Sequence, residues 1–518
     1  MKSFIGRETI REAAPELLYD ESRFTLGIPE KVYFPQNLND LLSVVRGCNR
    51  DGTPITVIGG KTGIAGGCVP TDGCTAICIS ETNRILSVDK SDDGTRVLLC
   101  EPGITLENIA AFLDRPRAWP YPVPGTNLLE GKQWLYPPDP TETTAQLGGT
   151  VATNASGARS FHFGPTRAWV HSLSVVLANG GTLNLKRGDC KARNGVFAVT
   201  TGQGSVFSVN APAYRIPAIK NASGYYAADD MDLIDLFIGS EGTLGIFSMV
   251  GIRLAPKPFF AAGLSFFPSR KAAFGFASFL RDQQQVLAIE YFDETAVAFL
   301  ESVKKDLPFA LPDFPPDKKY AVYWECRDDS GAQFEDQMDK WEESLSSHGS
   351  SFDDTWSGFK PKEIEKLKAI RHGIPEAVNS AIARYKRDHP DIRKISTDTA
   401  LASGKFEETF DWSIDKVKAS GLAHAAFGHL GDFHLHINLI PRNSQEMATA
   451  KELYGELMAA AISAGGTVSA EHGIGKLKTA YLREMYGKKA IAEMRAIKTA
   501  FDPQWLLNRG TLLDYPAQ

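Results

Sequence analysis

Three short segments concentrate small residues beside apolar runs: VIGGKTGIAGG (57–67), AQLGGTVATNASG (145–157) and FIGSEGTLGI (237–246). Glycine reaches backbone conformations closed to other residues and lets another group lie against the main chain. A chain with three such segments has three places where something large can lie close to its backbone, and that constrains the fold more than any composition value.

The first segment carries Gly60-Lys61-Thr62, the end of the phosphate-binding motif G-x-x-x-x-G-K-[ST]. The first glycine of that motif would fall at Ile55, inside an apolar strand, so the triphosphate reading fails. A dinucleotide fingerprint needs a helix straight after it, whereas Cys68-Val69-Pro70 and Thr71-Asp72-Gly73 read as extended chain and turn. Two readings stay open here: a flexible surface loop, or a run of positive-φ residues whose N–H groups form a nest for an anion such as a pyrophosphate. In the second region, Thr143 and Gln146 fit a capping box. A helix is expected from there through Gly148, Gly149, Thr150 and Thr153 to Asn154-Ala155-Ser156-Gly157. Each mid-helix glycine costs about 1 kcal/mol relative to alanine, tolerable where something presses on the backbone.

Around these segments the first half reads as α+β. Leu38, Leu41, Leu42 and Val45 have helical spacing, TPITVIGG reads as a buried strand, and Asn179-Gly180 predicts a hairpin turn within 168–185. TAICIS, ILSVDK, TRVLLCEPG and IFSMVGIRLAP read as further strands. The proline-rich LAPKPFF (254–260) marks a break, after which strands such as AVYWECR mix with a helical run over 361–388 and a loop over 307–319. A final helix and an irregular tail close the chain. The boundaries expected are 1–256 for a first domain, with 475–518 packing back onto it, and 257–474 for a second. A formal net charge of −6 without a basic stripe argues against nucleic-acid binding. The N-terminus has neither signal-peptide nor transit-peptide character, and no apolar run reaches the length of about 18 residues that a membrane span needs. Seven scattered cysteines without C-x-x-C read as thiols in a reducing, cytoplasmic setting.

Three of the ten histidines fall within AAFGHLGDFHLHINLIP (425–441). If Gly431-Asp432 closes a hairpin, paired residue numbers sum to 863, His429 faces His434, and His436 shares their face. Leu435, Ile437 and Leu439 then point to the opposite, apolar face. Three imidazoles in that arrangement could hold a metal, or could be hydrogen-bonded core histidines. Downstream, Glu471-His472 ends a strand-like stretch in TVSAEHGIGKLK, and could be a ligand beside a base or an acid at a helix start with an incidental histidine.

In combination, VIGGKTGIAGGCVP, PPDPTETTAQLGGTVATNASG and IGSEGTLGI resemble the FAD-binding domain of the vanillyl-alcohol oxidase / p-cresol methylhydroxylase superfamily. The resemblance runs from about 30 to 512 and is to the D-2-hydroxyacid dehydrogenase branch. It implies a two-subdomain FAD-binding domain plus an α+β cap (substrate) domain with an antiparallel sheet. It implies FAD, held non-covalently. Gly59, Gly60, Lys61, Thr62, Gly63, Gly66 and Gly67 would wrap the pyrophosphate. Pro138, Asp139, Gly148, Gly149, Thr153, Ala155, Ser156 and Gly157 would lie along the flavin. Glu241, Gly242, Gly245 and Ile246 would meet the adenine and ribose, and Asn508 in FDPQWLLNRG would stand by the flavin ring. Lys61 and Ser156 stand where the family has glycine, and Arg509 where it has proline.

The same resemblance assigns the histidines. The family carries Gly-His-x-Gly-Asp-Gly-Asn-x-His and Glu-His-Gly, so His429, His436 and Glu471 match metal ligands and His472 the catalytic base. The family's Gly-Asn is here Phe433-His434, which is expected to reshape the pocket wall and to give His434 a ligand or substrate contact. Arg371 in KAIRHGIPEAVN and Lys394 in DIRKISTDTA match substrate-carboxylate residues, and either alone could be a solvated charge. The implied reaction oxidises a D-2-hydroxy acid such as D-lactate or D-2-hydroxyglutarate to the 2-oxo acid. A divalent ion, Zn²⁺ by preference with Mn²⁺ open, would grip the substrate, and hydride would pass to flavin N5. A metal-independent flavin oxidase and a metal-dependent hydrolase are the competing readings. The electron acceptor is open between a quinone, a cytochrome and an electron-transfer flavoprotein. A homodimer and a peripheral contact with the inner membrane also stay open.

Overall fold

Asn37 opens the first long helix, Leu38–Asp51, where its side chain accepts the Asp40 N–H at 3.0 Å, and Gly52 closes it at φ 67°. Such an N-cap contributes about 1 kcal/mol. The buried stripe is Leu41, Val44, Val45 and Cys48, and it delivers the chain to the strand Ile55–Ile58, from whose end the first glycine loop springs. The computed structural model describes residues 1–302, 304, 312–327 and 332–515. Of the loop expected over 307–319, residues 307–311 lie outside the described residues, and 312–319 form neither helix nor strand.

The first half holds two two-stranded ribbons and two larger sheets. One has four strands, with Ile55–Ile58 parallel to Thr75–Cys78. The other is antiparallel and five-stranded, and it contains the expected hairpin of Val170–Val176 with Thr182–Lys186 as well as the strand Ile246–Arg253. The last helix, Thr479–Phe501, puts Leu482, Met494, Ile497 and Phe501 into the core beneath this sheet. The tail then runs along the glycine-loop strand, where Ile55 N donates to Leu506 O and Asn508 N donates to Ile55 O, both at 2.8 Å.

The second half is built on an eight-stranded antiparallel sheet. Its strands alternate. Val322, Trp324, Leu435, Ile437 and Leu439 point into one core, under the helices Arg270–Arg281, Ser403–Ser420 and Ser444–Ser463. Ala321, Tyr323, Phe292, Ala425 and Phe427 point into another, under the helix Pro361–Tyr385. The chain is therefore α+β with an antiparallel cap sheet, as the sequence implies.

Two local expectations differ. The helix expected from Thr143 begins at Leu147, with Gln146 at its N-cap and no side-chain cap. Residues 143–144 form a turn and 145–146 pair with distant chain instead, because Leu106 N, Glu107 N and Leu147 N donate to Ala145 O, Thr143 O and Ile104 O. The strand expected before Glu471 is not a ladder. Thr467 N and Ala470 N bond to Ala400 O and Asp398 O, Ala222 N bonds to Ser469 O, and these isolated bonds form no strand.

Candidate active site

The hairpin forms as Ala423–His429 and His434–Ile440, with His429 opposite His434 and Ala423 opposite Ile440, so every pair sums to 863. A register fixed by a short turn places all three imidazoles on one face. His429, His434, His436 and Glu471 bring ligand atoms within 4.8 Å of one another. Asp398, His436 and His472 form a second such set.

Glu471 is the hub. Its Oε2 lies 3.2 Å from His429 Nε2 and 3.9 Å from His434 Nδ1, and its Oε1 lies 3.3 Å from His436 Nε2 and 3.5 Å from His472 Nε2. Each histidine is also approached from behind: His429 Nδ1 is 2.5 Å from Glu290, His436 Nδ1 is 2.9 Å from Thr397 O, and His472 Nδ1 is 3.3 Å from Asp398 Oδ2. His472 stacks on His436 at 5.2 Å and remains 25 % exposed, at the open edge of the cluster.

The charges are strongly coupled. Burial opposes ionisation of Glu471, but Lys220 and His429 outweigh it and hold the carboxyl well below its ordinary range. Burial would lower His429, yet Glu290 raises it to about 9. His434 is pushed well down by burial and by His436. Burial opposes the charge on Asp398, and His472 and Lys478 keep it ionised.

The donors fit a metal. His434 is completely buried, and neither ring nitrogen makes a well-aligned hydrogen bond among the described residues. A set of imidazole nitrogens and a carboxylate at these separations suits Zn²⁺. The glycine segments fit FAD equally. A Cβ on Gly149 would meet nothing within 4 Å, one on Gly59 would face the Gly149 Cα at 4.0 Å, and Gln146 Oε1 and Ser156 Oγ are buried without partners among the described residues. Gly157 approaches Asp139 so closely that a Cβ would stand 2.0 Å from its carbonyl oxygen. Lys220 joins the two features, with Nζ 2.9 Å from Glu471 Oε2 and 3.5 Å from Gly157 O.

The first loop is less uniform than expected. Of its seven candidate residues only Lys61 (φ 61°) and Gly66 (φ 73°) are left-handed. Lys61 holds that conformation without being glycine, and its Nζ turns away to donate to Glu16 O at 3.0 Å. Phe433 also keeps a left-handed φ, 51°, and its ring packs on Phe406 and under Arg281, so the departure that reaches the cluster is His434. Glu241 accepts from Ile474 N and Gly475 N, and beside it a Cβ on Gly242 or Gly245 would press on Asn508 or Val175, ahead of Ile246 in its strand. Asn508 donates to Glu241 O at 2.7 Å and accepts from Val57 N at 2.8 Å.

Arg371, on the helix Pro361–Tyr385, lies 3.5 Å from Glu290, which also holds His429. Lys394 makes no ion pair among the described residues, and burial lowers its ammonium. Sequence reasoning passed over Lys220, Glu290, Glu325 and Asp398. Glu290 and Glu325 did leave a signal, a single carboxylate inside the apolar strands VLAIEYF and AVYWECR, since a buried charge requires a partner.

Residues 29–186 match the family model "FAD binding domain", and 258–512 match "FAD linked oxidases, C-terminal domain". Fold and site thus define an FAD-linked oxidoreductase. The glycolate oxidase subunit GlcD of Bacillus subtilis is 27 % identical over 500 residues, covering 95 % of this chain and 91 % of its own. The D-2-hydroxyglutarate dehydrogenase of Xanthomonas citri is 28 % identical over 501 residues, covering 94 % and 89 %. The structure of p-cresol methylhydroxylase with substrate bound superposes with TM-score 0.65 over 94 % of this chain and 90 % of that one, at 15 % identity. The chain belongs to the FAD-linked oxidases, whose FAD-binding and C-terminal domains it carries in order, and it shares its fold with p-cresol methylhydroxylase. No helix among the described residues is long and apolar enough to cross a membrane.

Proposed function

We propose that the protein oxidises a D-2-hydroxy acid to the 2-oxo acid. The observation that carries this reading is the junction of a glycine-lined FAD cradle with a His/Glu cluster whose outermost member, His472, is oriented by a buried carboxylate. When bound, FAD supplies the hydride acceptor, and a divalent ion held by His429, His436 and Glu471 supplies Lewis-acid polarisation of the substrate hydroxyl.

The chain's own residues do the rest. Asp398 Oδ2 faces His472 Nδ1 at 3.3 Å, which leaves Nε2 as the nitrogen that accepts the hydroxyl proton. Arg371 presents a guanidinium fork to the substrate carboxylate, and Glu290 fixes its position. Lys394 is a second, less strongly anchored cation for the same purpose. Lys220 neutralises Glu471 and Asp432 beside the cradle.

Stopped-flow reduction of the purified flavoprotein by a panel of D- and L-2-hydroxy acids tests the reading. Bleaching of the flavin by one or more D-acids, lost on His472→Ala, is expected. Reduction at the wild-type rate in His472→Ala would sink it. A metal-independent oxidase is the second reading, favoured by the 2.9 Å contact through which Lys220 satisfies Glu471 without an ion. Turnover unchanged after exhaustive chelation would select it. The FAD-linked family argues against the hydrolase.

A further inference from the structure

We propose that His434 is a third imidazole ligand of the divalent ion, so that this chain's donor set is three histidines and Glu471, and that Asp398 positions both that ligand and the base. The proposal rests on the metal-dependent reading of the site given above.

His434 stands where the resemblance leads one to expect asparagine, and it has no exposed surface from which to touch a substrate. A fully buried imidazole without an aligned hydrogen bond is costly, by about 1–3 kcal/mol for an unsatisfied polar group. Its Nδ1 is aimed at the cluster, 3.9 Å from Glu471 Oε2. Two ligands of a tetrahedral Zn²⁺ are about 3.4 Å apart, from metal–ligand distances of about 2.0–2.2 Å. His429 and His436 stand 3.2 and 3.3 Å from the Glu471 oxygens, so a small movement of one ring brings His434 into the same shell.

The support behind each ring points the same way. Metal-binding imidazoles are held through their other nitrogen by a carboxylate or a carbonyl. Glu290 does this for His429 and the Thr397 carbonyl for His436. Asp398 Oδ1 stands in the corresponding place behind His434, 3.1 Å from Nε2, one small ring rotation from an aligned hydrogen bond. The inward nitrogen is Nδ1 in His434 and Nε2 in the other two, and all three converge on Glu471. Asp398 is itself immobilised by Lys478 Nζ at 2.8 Å and Ser469 Oγ at 2.6 Å. Its second oxygen faces His472 Nδ1, so one buried carboxylate sets the orientation of a ligand and of the base together.

The test uses the full-length, FAD-loaded protein, stripped of metal and titrated with Co²⁺ and Zn²⁺ against a chromophoric chelator. Wild type should take up one Co²⁺ with the intense ligand-field bands of a four-coordinate site, which a substrate hydroxyl would expand to five. His434→Asn should weaken binding by more than the roughly 10- to 100-fold that loss of a supporting partner costs, and should shift those bands. Asp398→Asn should weaken binding within that roughly 10- to 100-fold range. His434→Cys should create a Co²⁺–thiolate charge-transfer band, a signature that only a residue in the ligand shell produces and that does not depend on activity. Wild-type affinity and spectrum in His434→Asn, or no thiolate band in a folded, Co²⁺-loaded His434→Cys, would overturn the role of His434 and leave the metal-dependent reading standing. Failure of the wild type to bind any divalent ion would remove both.

Discussion

Arg159→Met should loosen the junction between the glycine-rich half of the chain and the cap sheet. Arg159 Nε lies 2.6 Å from Glu325 Oε2, with the side chains only 13 % and 1 % exposed. Its backbone N–H donates to Asp139 Oδ1 at 3.0 Å, and its guanidinium lies over Phe260. Burial pushes the Glu325 carboxyl up, but Arg159 outweighs it and brings the group down to about 2 from an ordinary 4.5. At about 1.4 kcal/mol for each factor of ten in proton affinity, that preference is worth about 3 kcal/mol. The figure agrees with the roughly 3–5 kcal/mol lost when one partner of a buried pair is removed. Because the folded carboxyl is depressed, its contribution is present above about pH 4.5 and is lost as pH falls through 2. In Arg159→Met the unpaired carboxyl should titrate above its ordinary range, so the variant should be hurt more at pH 8 than at pH 5. Denaturant midpoints of the FAD-loaded protein for wild type, Arg159→Met, Glu325→Gln and the double variant form the cycle, with the double variant recovering most of the loss. A loss below about 1 kcal/mol for Arg159→Met, or strict additivity in the double variant, would refute the reasoning.

Gly157→Ala should release FAD, because the added Cβ would stand 2.0 Å from Asp139 O; an unchanged flavin-to-protein absorbance ratio after dialysis would contradict this. Lys61→Met should leave FAD affinity unchanged, since the ammonium donates to Glu16 O, and a tenfold loss would show that it serves the phosphates. Burial raises Glu241 to about 7 from an ordinary 4.5, so the folded state binds more protons than the unfolded one in that interval. The stability this contributes is present below about pH 4.5 and lost as pH rises through 7, up to about 3 kcal/mol. Glu241→Gln should flatten that part of the melting profile between pH 5 and 8, and parallel profiles would count against the assignment.

The alternation of apolar and polar residues, with a turn at Gly431-Asp432, was enough to fix which histidines face one another, because a side-chain period of two admits one register that keeps Leu435, Ile437 and Leu439 in the core. The glycine runs likewise announced close approach to the backbone, and the apolar stripe of Leu38–Asp51 announced its helix. Local signals failed where distant chain competed for the same backbone groups. The capping box at Thr143 lost because residues 104–107 pair with 143–147, and the strand before Glu471 lost because it meets only isolated backbone partners, at 398–400 and at Ala222. The charges that organise the site were beyond local reading. Lys220 and Glu471 are 251 residues apart, and Arg159 and Glu325 are 166 apart, yet each pair is buried in contact. The sequence by itself determined which side chains were candidates to hold a metal, a flavin and a carboxylate. Only the tertiary structure decided which nitrogen of each histidine turns inward and which buried carboxylate or carbonyl stands behind it, because desolvated polar groups must find partners and the fold alone chooses them.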